Sequence, residues 1–139
     1  MRRLPVPAVP RALRYAGVLA VAVAIAYFSL LDAPPQGPPG TGPWWDKRLH
    51  FAAYAALGVA VAYATIEERR LLVRAGLVLG AAGLYGTGIE LVQWVLPDRY
   101  FGVGDIVANL IGGVLALSWL AAEQLFTYVP VLDWVSDKI

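Results

Sequence analysis

Cysteine is missing from this 139-residue chain. That excludes disulfides, thiolate metal ligands and a thiol nucleophile. Histidine is nearly missing, with His50 the single copy. No HxxxH or ExxH pair orders a metal centre, and Asp46, His50, Glu90 and Asp105 make only a weak ligand signal; no metal and no cofactor is expected. Ser29 and Ser118 are expected away from these polar residues, and Thr41 falls in a loop, so a serine-type triad is not expected either. Charge is scarce: 15% of residues are charged and the formal net charge of +1 argues neither for nor against nucleic acid; no nucleic-acid partner is expected.

What is present is apolar. The chain is 59% hydrophobic with mean hydropathy +0.62, against about 45–50% apolar residues in a soluble domain. The excess lies in four uncharged runs, Tyr15–Leu31, Phe51–Ile66, Ala75–Ile89 and Ile106–Ala122. A membrane span needs about 20 residues. The second run reaches that length if it starts at Lys47, and the third if it carries Glu90 inside it. The expected fold is therefore all-α: a single domain over residues 1–139, an integral membrane bundle of four transmembrane helices at about 15–31, 47–66, 75–96 and 106–122. A soluble bundle would need charged stripes at helical spacing, and Tyr15–Leu31 and Ile106–Ala122 have none. A signal peptide would suit Arg2, Arg3, Arg11 and Arg14. The apolar run after them is too long for one, and Leu31–Pro34 offers no small-x-small cleavage site, so a retained anchor is expected.

Lys and Arg in the short loops set the orientation. Arg2, Arg3, Arg11, Arg14, Arg69, Arg70, Arg74 and Lys138 fall on one side, and Lys47, Arg48 and Arg99 on the other. Both termini are expected in the cytoplasm. The outer loop 32–46 contains Pro34, Pro35, Pro38, Pro39 and Pro43 and is expected to be extended, because Pro lacks an N–H and fixes φ. Trp44, Trp45, Trp94 and Tyr100 suit the headgroup level. Residues 127–139 read as an interfacial tail, with Pro130 starting a short helix. Ala52, Ala56, Ala60 and Ala64 form one small-residue face; Gly76 and Gly80 form a GxxxG pair with Gly88 on the same stripe; Gly112 and Gly113 come one turn after Asn109. Each suits close helix packing in lipid. Nine arginines against two lysines, with abundant Ala, Val and Gly, point to a GC-rich prokaryotic genome, hence a multi-pass protein of a prokaryotic plasma membrane.

The polar residues that interrupt the runs are Asp46, Lys47, His50, Glu90, Gln93, Arg99, Asp105 and Asn109. Alternating spans bring all of them to one side, the outer one. Ionisable residues at such positions are costly and mark function. Asp46 and His50 are four apart and share a helix face that Tyr54 continues. Asp46 and Asp105 each suit the first turn of a helix, where an acid complements the dipole. Glu90 lies six residues before Leu96, about 9 Å below the outer end, and needs a cation or hydrogen bonds there; His50, Arg99 and Lys47 are its expected partners. Gln93 shares its face. Asp105 and Asn109 are again four apart. Arg99 suits a bidentate grip on phosphate or carboxylate.

The stretch DKRLHFAAYAALG at Asp46–Gly58, with Asp46, Lys47, His50 and Tyr54, resembles the first motif of the VanZ-like family. Glu90, Gln93, Pro97, Arg99, Asp105, Asn109 and Gly113 resemble its second. The resemblance covers about Asp46 to Leu117. It implies a small polytopic membrane protein of the cell envelope, from a family whose namesake raises resistance to the lipoglycopeptide teicoplanin and which also occurs in archaea, where peptidoglycan is absent. The function expected from residues and resemblance together is an outward-facing pocket that binds or processes an anionic lipid headgroup or a lipid-linked glycan precursor. Glu90, His50 and Asp105 are the candidates for acid–base chemistry. Arg99, Lys47, Asp46, Gln93, Asn109 and Tyr54 are the candidates for binding. The alternative is a non-catalytic adaptor whose polar cluster locks the helices together.

Overall fold

A computed structural model describes residues 3–32, 36–42, 44–97 and 99–136. Arg2, Pro34, Pro35, Pro43 and Lys138 lie outside the described residues.

Four long helices run in alternating directions. α1 covers Arg11–Leu31, ending in a π-helical turn at Tyr27–Leu31. α2 covers Trp44–Ala64. α3 covers Leu71–Val95, with a π turn at Ala81–Tyr85. α4 covers Val103–Ala122 and closes with a 3-10 turn at Glu123–Leu125. A π turn inserts a residue and rotates the rest of the helix, so Glu90 and Gln93 are set round relative to the first half of α3. Three helices, α1, α3 and α4, are long and apolar enough to cross a membrane. α2 matches α1 in length, at 21 residues each. Its opening sequence, WWDKRLH, is what lowers its apolar character.

α2 and α4 form the central pair, and small residues explain why. A Cβ on Gly58 would lie 2.5 Å from the Ala116 Cβ, and one on Gly112 would lie 2.8 Å from the Phe51 carbonyl oxygen. Backbones this close gain dispersion contacts that larger residues forbid. α3 joins through Gly113, whose added Cβ would lie 2.6 Å from that of Ala82, and through Gly86 against Asn109. The stripe expected to pack, Gly76, Gly80 and Gly88, has nothing within 4 Å of an added Cβ. Ala52 and Ala56 are also exposed, so only Ala64 of that face is buried. Of the small residues expected to pack, Gly112 and Gly113 do, joined by Gly58 and Gly86. Outside the core, Leu19, Leu72, Leu84, Val95, Val114 and Leu115 are large and exposed, an apolar coat of the kind a membrane covers.

The all-α expectation needs one correction. β1 (Leu4–Ala8) pairs in parallel with β2 (Phe126–Pro130), Leu4 opposite Phe126 and Ala8 opposite Pro130. Pro5 and Pro7 alternate in β1, which leaves their missing N–H groups on one edge, where a strand tolerates Pro. Phe126, Thr127, Tyr128 and Val129 are strand formers. The short helix after Pro130 is present as α5 (Val131–Ser136).

This end of the bundle is clamped by ion pairs. Arg74 donates to both Glu123 oxygens at 2.6 and 3.0 Å and to the Ala62 carbonyl at 2.6 Å. Tyr128 donates its hydroxyl to Glu123 at 2.8 Å; burial, then the Glu123 charge, pushes that phenol up. Arg14 pairs with Glu67 and donates to the Tyr63 carbonyl at 3.2 Å. Arg14 holds the Glu67 carboxyl below its ordinary value. Arg70 holds that of the half-buried Glu68 at about 2.

Candidate functional site

The opposite end holds the predicted polar residues. Hydrogen bonds fix how they meet. His50 sits two turns into α2, and its Nδ1 lies 2.7 Å from Oδ1 of Asn109 on α4. An amide oxygen only accepts, so Nδ1 carries a proton. Nε2 faces two carboxylates, Asp105 Oδ1 at 3.5 Å and Asp46 Oδ1 at 3.8 Å. Lys47 Nζ donates to Asp105 and, at 3.2 Å, to Asp46 Oδ2. Asp46 and Asp105 stand in the first turns of α2 and α4 as the sequence suggests.

A cavity of about 660 Å³ opens beside this cluster. Its polar end is formed by Asp46, His50, Gln93, Arg99 and Asp105, with Tyr54 below them. Its other walls are apolar: Val21, Ala24, Ile25 and Phe28 from α1, and Leu49, Ala52, Ala53 and Ala56 from α2. Gln93 donates to the Ser29 carbonyl at 3.0 Å, which ties α3 to α1 at the rim. Arg99 donates through Nη2 to the Asp32 carbonyl at 2.6 Å, so the segment after α1 and the one before α4 are joined beside the cavity. Ser29, expected away from the polar residues, lines the cavity wall. The π turn that ends α1 is what places it there.

Three predicted residues stand behind the cavity rather than on it. Lys47 is held by the two aspartates. Asn109 is 1% exposed and orients His50. Glu90, also 1% exposed, accepts the Gly102 N–H at 3.0 Å through Oε2. It hydrogen-bonds none of His50, Arg99 and Lys47, its expected partners, among the described residues. Its Oε1 and the Tyr54 hydroxyl have no hydrogen-bond partner among them either. Glu90 therefore fastens α3 to the residue that opens α4.

Sequence reasoning missed two glycines that shape the site. A Cβ on Gly102 would lie 2.1 Å from Asp105 Oδ2, and one on Gly86 would lie 2.7 Å from Asn109 Nδ2. The run GVGD before a helix carried the first signal. The second depends on how α3 crosses α4 and has no local signature.

Three long apolar helices with a polar chamber at one end define a helical membrane protein. Residues 11–125 match the family model described as VanZ/LLP1, and the chain belongs to that family. No curated protein and no solved structure shows significant similarity to it.

Proposed function

We propose that the protein is a multi-pass protein of a prokaryotic plasma membrane. In this reading α2 is a fourth span, both termini lie in the cytoplasm, and the polar chamber faces outward. The chamber binds an anionic lipid headgroup or a lipid-linked glycan of the envelope. One observation carries this reading: the cavity is amphipathic along its length, with Arg99, Gln93 and His50 at one end and α1 and α2 side chains below. A lipid has the same polarity profile. Arg99 has further N–H donors beyond its bond to Asp32 and can grip a phosphate. The apolar walls suit the start of an acyl or polyprenyl chain. Teicoplanin resistance, where it occurs in the family, is in this reading a by-product of a more general envelope role.

The locking alternative has its own support in Glu90, Lys47 and Asn109, which are engaged with protein groups. The two roles fall on different residues, so they separate experimentally. Native mass spectrometry of protein extracted with its own lipids is the test. Wild type is expected to carry an anionic lipid that Arg99→Ala loses at unchanged thermal stability. Glu90→Gln is expected to melt lower yet keep the lipid. A bare wild-type spectrum, with Arg99→Ala no different, returns the protein to the adaptor reading.

A further inference from the structure

We propose that Asp46, His50 and Asp105 bind one divalent transition cation, Mn2+ or Zn2+, at the polar end of the cavity. Each residue offers one ligand atom, and these atoms all lie within 4.8 Å of one another. Ligands around such an ion stand about 2.0–2.2 Å from it, so a pair of them is about 3.3–3.6 Å apart at a tetrahedral ion and up to about 4.4 Å at an octahedral one. The two Nε2–carboxylate separations, 3.5 and 3.8 Å, already fit; the widest pair closes by side-chain rotation at the helix ends.

The charges suit a cation as well. Nδ1 donates to Asn109, and Nε2 faces carboxylate oxygens at 3.5 and 3.8 Å. In the neutral ring the Nε2 lone pair and the two carboxylates form one donor set. A divalent ion takes the place that a proton on Nε2 and the Lys47 ammonium otherwise fill. An amide oxygen on the distal nitrogen is the usual way a ligating imidazole is held. One imidazole and two carboxylates suit Mn2+ or Zn2+ better than the softer ions that thiolates select.

An independent observation points to a ligand in the same cavity. The Tyr54 hydroxyl belongs to a residue 2% exposed, lines this cavity, and has no hydrogen-bond partner among the described residues. A buried hydroxyl without a partner costs about 1–3 kcal/mol, and an ion-bound water or anion in the cavity would supply one. Lys47 acts as a competitor: its ammonium rests on both aspartates and swings away when the ion enters.

The proposal stands without the lipid reading and is tested without lipid. The full chain in detergent is stripped with EDTA, dialysed and titrated with MnCl2. Loss of the free-ion signal in electron paramagnetic resonance reads the binding. ZnCl2 binding is measured by calorimetry on the same protein. One ion per chain is expected. Asp105→Asn and His50→Ala weaken it at least tenfold, and His50→Ala removes the imidazole nitrogen modulation from the pulsed spectrum. Lys47→Met tightens it several-fold, which a purely structural role for the cluster does not predict. Glu68→Gln, at the other end of the bundle, leaves it unchanged. Failure of both ions to bind wild type and Lys47→Met at one per chain overturns the proposal, as does binding that His50→Ala leaves intact.

Discussion

Single residues in the chamber owe their positions to neighbours with no chemistry of their own. Gly102 is the clearest case. Its φ of −128° is open to any residue, so space and not conformation requires glycine. A Cβ there would lie 2.1 Å from Asp105 Oδ2. Gly102→Ala therefore displaces the Asp105 carboxylate and disturbs the N–H that Glu90 accepts. We expect overpacking of about 1–3 kcal/mol, read as a lower melting temperature in detergent. Weaker ion binding should accompany it. A variant with wild-type stability and ion affinity would show that the loop before α4 yields freely.

At the scale of elements, the two ends of the bundle are held differently. One end uses Glu90 to fasten α3 to α4. The other uses the buried Arg74–Glu123 pair, whose side chains are 10% and 6% exposed. Removing one partner of a buried pair strands the other charge and costs about 3–5 kcal/mol. Arg74→Ala should thus lower the melting temperature sharply, and Arg74→Ala with Glu123→Ala should recover part of the loss. Equal destabilisation by the single and double variants would show that the pair contributes nothing beyond packing. The neighbouring Arg14–Glu67 pair gives a pH dependence. The folded Glu67 carboxyl titrates below its ordinary value, so its contribution is present above the unfolded value of about 4.3. It is lost as pH falls through the lower folded value. The melting temperature of Glu67→Gln should then depend less on pH below about 4.3 than that of wild type. Since the Glu67 side chain is 58% exposed, the effect is small and screened by salt.

The same scale shows what the sequence could and could not reveal. Apolar runs and the four-residue spacings Asp46–His50 and Asp105–Asn109 were readable because helical periodicity is local. So was the convergence of the polar residues on one end, which needs only alternating helices. Which glycines pack was only partly readable: Gly112 and Gly113 do as expected, but Gly58 packs while Gly76 and Gly80 do not, a difference in which way the helix faces that is settled by its neighbours. The β1–β2 pairing joins residues at opposite ends of the chain. Glu90 stands off the cavity wall on a helix that carries a π turn at Ala81–Tyr85, which a regular 3.6-residue count does not anticipate.

For the whole molecule, the decisive question is which way the chamber faces. The basic residues favour an outward chamber by loop position, yet several of them are engaged in ion pairs: Arg14 with Glu67, Arg70 with Glu68 and Arg74 with Glu123. The rule counts Lys and Arg rather than net charge, so these pairs leave the expectation standing. The missing cysteine turns the protein into its own background for testing it. Tyr100, 92% exposed near Arg99, marks the chamber end. Glu68, in the turn between α2 and α3, and Ser136, at the end of α5, mark the other. Each is changed singly to cysteine and treated in intact cells with a membrane-impermeant maleimide. Tyr100→Cys should label at once, and Glu68→Cys and Ser136→Cys only after lysis. The reverse pattern would turn the chamber to the cytoplasm and redirect the search from envelope lipids to those of the inner leaflet. Thr41→Cys, between α1 and α2, should label together with Tyr100→Cys; labelling of one and protection of the other in intact cells would mean that α2 does not cross, and the four-span reading would give way to one built on α1, α3 and α4.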